Sequence, residues 1–168
     1  MQLHVKKSLM FFTFVSCFFI SFSAQSTKLH HDQFGELVFA HSVKDTALTF
    51  HYLDSQLSDC QYVAIDKYPE VEAMLLEGII VRVETKDIQV LGTDSPFYSL
   101  ANNLMDLAAF KQAHPQVEVA AHEYENGYYL RWYNNNQSKA IVVDYVQGKV
   151  TNIKAGIVPH VLFVEGCA

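Results

Sequence analysis

Glycine and proline are scarce, at 7 and 4 residues, which excludes collagen-like and low-complexity chains. Charged residues make up only 18% of the sequence, too few for a chain kept disordered by its own charge. No G-x-S-x-G, P-loop or G-x-G-x-x-G occurs. The local signatures of a nucleophile elbow, a phosphate-cradling loop and a dinucleotide turn are therefore missing. Beyond the first two dozen residues, no apolar run approaches the roughly 20 residues that span a bilayer. No basic stripe stands out either. What is present has a globular character: 168 residues, half of them hydrophobic and 13% aromatic. That length suits one domain, or one domain behind a leader.

Residues 1–23 have the layout of a secretory signal peptide. Lys6 and Lys7 form a positive start, and Leu9 to Phe22 is almost wholly apolar. Small residues follow, in the order a signal peptidase reads. Ser21-Phe22-Ser23 would release a chain beginning at Ala24, and Ala24-Gln25-Ser26 one beginning at Thr27. An uncleaved anchor is the alternative, but an apolar run of about 14 residues is short for a span. A lipoprotein reading at Cys17 would leave Phe18 to Phe22 as an apolar start to the mature chain. The expectation is an exported, periplasmic or secreted protein with no membrane span after cleavage.

Removing the leader takes Lys6 and Lys7 and no acid. Ten basic residues then face 18 acidic ones, a formal net charge of −8. Such a chain repels phosphate backbones, so nucleic acid is not expected as a partner. The mature part keeps two cysteines, Cys60 and Cys167. An even count in an exported chain reads as a disulfide. The alternative is a reactive Cys60 acting with a histidine.

Residues 24–34 are polar and read as a flexible entry. Short strand patterns follow at Gly35 to Ala40 and at Ala47 to Leu53, then Cys60 to Ile65. Residues 70–77 fit either a short helix or a strand turning at Gly78 into Ile79 to Glu84. An internal echo favours the strand. Gly78 followed by Ile80 and Val83 matches Gly148 followed by Val150 and Ile153. The second copy is β-branched and reads as a hairpin from Ala140. The best helix pattern runs from Pro96 to Ala113, with Ser95 as its cap and Leu100, Leu104, Leu107 and Ala108 on one face. Further strands are expected at Val117 to His122, Tyr128 to Tyr133 and Lys149 to Lys154, and a last one at Val161 to Val164. The class is α+β: a mostly antiparallel sheet with one main helix, forming a single disulfide-stapled domain over 24–168.

The order of these elements resembles a group of small exported bacterial proteins. They carry a cysteine before a glycine hairpin, then a helix, a "g-Y-L" strand, a "GkV-t-i" strand and a terminal "V-E-G-C". Here the counterparts are Cys60, Gly78 with Arg82, Tyr129-Leu130, Gly148-Lys149-Val150-Thr151 with Gly156, and Val164 to Cys167. The similarity covers about the last two-thirds of the chain. Thr93 to Pro96 stands where the group has a glycine-rich entry to its helix. The resemblance implies export, one domain and the disulfide, and brings no catalytic residue.

Seven histidines follow the leader: His30, His31, His41, His51, His114, His122 and His160. His30-His31-Asp32 has metal-ligand chemistry, but a tight site needs three or four ligands held in geometry, and a solvated lead-in accounts for it more simply. His41 and His51 could pair across a hairpin. His122-Glu123-Tyr124-Glu125 lacks the second histidine of a zinc-protease helix. No metal, cofactor or catalytic residue is assigned. Asn136-Gln137-Ser138 is a glycosylation sequon, relevant only in a eukaryotic secretory pathway.

The richest constellation is Tyr124, Tyr128, Tyr129, Arg131, Trp132 and Tyr133. Strand alternation puts Tyr128, Leu130 and Trp132 towards the core and Tyr129, Arg131 and Tyr133 on the other face. Two tyrosines flanking an arginine suit a sugar ring or a protein partner. Aromatic packing beneath a neighbouring loop is the plainer account. Arg82, on the echoing hairpin, either joins this surface or pairs with a carboxylate. These four residues are the candidate ligand contacts. The expected role is a binding protein for a protein or cell-envelope ligand, such as an inhibitor, immunity protein or accessory factor. A carbohydrate-binding module, or a hydrolase lacking a familiar motif, is the alternative.

Overall fold

The computed structural model describes residues 27–53 and 59–167. The leader, its two cut sites and residues 54–58 lie outside the described residues. A small hairpin of β1 (Gln33–Phe34) and β2 (Leu37–Val38) comes first. The main sheet then runs through β3 (Phe50–Tyr52), β4 (Cys60–Ile65), β5 (Val71–Leu76) and β6 (Ile79–Thr85). Two short helices, α1 (Tyr98–Ala101) and α2 (Leu107–Ala113), precede β7 (Glu118–Ala121), β8 (Gly127–Tyr133), β9 (Lys139–Val146) and β10 (Lys149–Ile157). The result is a mostly antiparallel architecture with little helix.

The eight strands lie in the order β3-β4-β5-β6-β10-β9-β8-β7. Two four-stranded meanders thus meet side by side, with β6 antiparallel to β10. The internal echo of the sequence has its counterpart here. Glu77-Gly78 and Gln147-Gly148 are two-residue turns, each with positive φ at both positions: 51° and 78°, and 50° and 82°. That is the type I′ geometry whose twist matches the flanking strands. The seam between the meanders is tight. A Cβ on Gly156 would fall 2.1 Å from the Val81 carbonyl oxygen, so only glycine lets β10 approach β6 this closely.

One face of the sheet carries the main core. Leu29, Phe34, Leu37 and Phe39 from the amino-terminal segment, and Phe97, Leu100 and Phe110 from the helical segment, pack on Val63, Leu75, Val83, Leu130, Ile141, Val143 and Ile153. Each fully buried side chain of this size contributes about 1.5–3 kcal/mol relative to exposure. Leu29 and Phe34 lie in the stretch read as a flexible entry, yet both are buried. The Leu29 amide also donates to the Val90 carbonyl.

Two expectations need correction. No continuous helix spans 96–113: the chain breaks at Asn102 to Asp106, where Asn103 adopts φ 56°. Asparagines are poor interior helix formers and tolerate this conformation. Asp106 then caps α2, its carboxylate accepting from the Ala109 amide. The break turns Leu104 out to solvent, 70% exposed, while Leu100 and Phe110 stay buried. The tail is likewise not a strand. His160–Leu162 is a single 3-10 turn, because Pro159 ahead of it cannot donate to a ladder.

Candidate functional site

The second face of the sheet is built by the alternate residues of the same strands. Paired rows across β5, β6, β10 and β9 set Glu72 opposite Glu84, Glu84 opposite Lys154, and Asn152 opposite Asp144. Helices do not cover this side. The carboxyl-terminal segment 158–167 crosses it, and the turn at 122–125 folds onto it. Val161 is fully buried, packed with Tyr129, Ala140 and Val142. Cys167 ends the crossing in a disulfide to Cys60 on β4, with Cα atoms 5.3 Å apart, within the usual spacing.

Arg82 holds the segment from beneath. It is 1% exposed. Its Nη1 donates to the carbonyl oxygens of His160, at 3.3 Å, and Phe163, at 3.2 Å. Its Nη2 donates to the Tyr62 hydroxyl and lies 3.5 Å from Glu84 Oε2. One nitrogen of the planar fork serves two tail carbonyls and the other a phenol, a spread that the single nitrogen of lysine does not reproduce. Burial pushes the Tyr62 phenol up to about 12, against the opposing pull of the Arg82 charge.

Tyr129 is also buried, at 4% exposure. His122 stacks on its ring with centroids 4.3 Å apart. The Lys154 ammonium lies 5.4 Å from the ring centroid, within cation–π range. Burial, followed by the nearby Asp144 charge, raises the Tyr129 phenol above its ordinary value. Lys154 and Asp144, 3.5 Å apart, form a buried ion pair beside it. Arg131 is half-buried and donates to Glu118 Oε1 at 2.7 Å. Tyr133 is half-buried, and its phenol is raised by burial and by Glu118. The four candidate contacts therefore share one face but not one role. Arg82 and Tyr129 are interior, and Arg131 and Tyr133 keep partial access.

Two open grooves remain on this face, divided by the 122–125 turn. The larger, about 900 Å³, is lined by Glu70, Glu72, Glu84, Lys86, His122, Glu125, Lys149 and Asn152, among others. The second, about 790 Å³, runs along the tail between Met74, Leu76, Glu123, Tyr124, Phe163 and Glu165. The Tyr124 hydroxyl donates to Glu165 Oε1 at 3.1 Å. That carboxylate raises the Tyr124 phenol.

Three of the histidine candidates, His31, His51 and His122, have structural partners. His31 Nε2 donates to the Trp132 carbonyl at 3.0 Å, and its ring meets the indole edge-on. Burial lowers its pKa from 6.5, more than the carbonyl raises it. Asp32 pairs with Lys139 at 2.9 Å. His51 contacts Asp66, not His41, at 2.7 Å. His122 Nδ1 accepts from the Tyr124 and Glu125 amides, closing its turn. Among the described residues, no three histidine, cysteine, aspartate or glutamate side chains gather as metal ligands would. Nor is any helix among them long and apolar enough to cross a membrane.

Sequence reasoning missed Lys154, Asp144, Glu84 and Tyr62. Strand alternation from Arg82 already places Glu84 on its face. The pairing of β6 with β10, which brings Lys154 beside them, has no local signal. Comparison with protein-family models, with curated proteins and with solved structures finds no match to this chain.

Proposed function

We propose that the protein is an exported binding protein that recognises a protein or cell-envelope ligand on the tail-bearing face of its sheet. One observation carries this reading. The helical side of the sheet is closed by a packed layer, whereas the other side is crossed only by a disulfide-tied segment and one turn, leaving two long grooves. A grooved surface with Tyr124 and Phe163 in its lining suits partner recognition. Export is supported by the leader pattern, by the disulfide, and by the resemblance to small exported bacterial proteins.

Site-specific photo-crosslinking tests it. A benzophenone amino acid replaces Tyr133, Glu72 or Tyr124 on the tail-bearing face, and Leu104 on the helical side as the control. The mature protein is then exposed to envelope extract. The expected outcome is a discrete adduct from the tail-bearing face, suppressed by excess unlabelled protein and absent with Leu104. Equal adducts from both sides, or none, would remove the reading. An adduct that survives protease but not glycosidase would transfer it to carbohydrate binding.

A further inference from the structure

Resting on that binding reading, we infer that the groove along the tail takes a polypeptide segment with a large apolar side chain flanked by lysine or arginine. The apolar part of the lining is Met74, Leu76, Leu162, Phe163 and Val164, and the disulfide cysteines Cys60 and Cys167 also line it. Phe163 is 46% and Tyr124 64% exposed, a large apolar area to leave in water. The carboxylates Glu123 and Glu165 line the groove together with His160, and no lysine or arginine does so among the described residues. Exposed Asp59 and Glu77 stand next to Cys60 and Leu76. Arg82, buried below, already faces Glu84 and the tail carbonyls.

An apolar centre with an acidic rim is complementary to an apolar anchor between basic residues. The aromatic contacts supply affinity, and the rim supplies steering and register. The same rim repels anionic lipid and acidic peptides. The groove exists because the tail is fastened on both sides of Phe163, by Arg82 and by Cys167, so its walls are set before a partner arrives.

Three twelve-residue synthetic peptides test this against the oxidised mature protein. One carries a central tryptophan between lysines and arginines. The second replaces the basic residues by glutamate, and the third replaces the tryptophan by serine. Fluorescence anisotropy should show the first binding at least about tenfold more tightly than the others, and more weakly as salt rises. Phe163→Ser and the double reversal Glu123→Lys/Glu165→Lys should each cost about tenfold in affinity. Both alter exposed positions, and an unchanged thermal midpoint verifies the fold. Equal binding of the three peptides, binding indifferent to these variants, or no binding at millimolar concentration would overturn the inference. So would stronger attachment to anionic phospholipid vesicles than to the basic peptide. Tail-face crosslinks that persist while the peptides fail would discard the occupant and leave the binding reading standing. Loss of both would remove both.

Discussion

Replacing Cys60 and Cys167 together by serine removes the covalent closure without leaving a lone thiol. The bond joins positions 107 residues apart. In the chain-entropy treatment, a closure of that length lowers the entropy of the unfolded chain by about 16 cal/mol/K, or about 4.8 kcal/mol at 25 °C. Cutting the bond releases that entropy to the unfolded state alone. The tail should remain seated in the native variant, because Val161 is still buried and Arg82 still donates to the His160 and Phe163 carbonyls. The expected loss is therefore about 3–5 kcal/mol, global and not confined to the tail. With a urea dependence of about 2 kcal/mol per molar, the unfolding midpoint falls by about 2 M. Trp132 is a suitable reporter, since it packs on Phe97 and His31 on the helical side of the sheet, away from the tail. Wild-type protein in excess dithiothreitol should follow the serine variant. A midpoint within about 0.5 M of the oxidised protein, about 1 kcal/mol at this slope, would refute the reasoning.

Arg82→Met should destabilise by about 3–5 kcal/mol, because it strips the donor from two tail carbonyls and leaves Glu84 without its neighbour. Hydrogen exchange should quicken first in 158–167, and Arg82→Lys should recover only part of the loss; unchanged exchange there would show that the guanidinium does not hold the tail. His31 predicts a pH dependence. Its folded pKa lies below the unfolded 6.5, so the unfolded chain binds more protons between the two values. Stability should therefore be fully present above 6.5 and decline as pH falls through the window towards the folded pKa. Comparing urea midpoints of wild type and His31→Gln across pH 5–7.5, an illustrative range of about 2.5 units around the reference pKa, should show a shallower slope in the variant.

Much of the fold was legible because it rests on local chemistry. The β-branched run of β9, the turns at Gly78 and Gly148, and the alternation in Cys60 to Ile65 each reveal a strand without reference to the rest of the chain. The helix was misread because Leu100, Leu104 and Leu107 satisfy helical spacing. Periodicity does not weigh the pair Asn102-Asn103, which breaks the ladder, against the Asp106 cap that restarts it. The tail was misread as a strand for a related reason. Val161 to Val164 is apolar enough for a ladder, but no edge stands beside it.

The candidate site shows the same division. That Tyr129, Arg131 and Tyr133 share a face follows from the two-residue period of any strand, and the cysteine pairing was expected from the two cysteines that follow the leader pattern. Which of those side chains meets water does not follow. A strand face has no intrinsic inside or outside until another element covers it. Here the cover comes from residues 122–125 and 158–167, brought over Tyr129 and Arg82 by pairing of the two meanders and by a bond spanning most of the domain. Contacts between such distant positions leave no periodic trace in the chain, so the conversion of Arg82 from a surface candidate into the buried anchor of the tail could be seen only in the folded molecule.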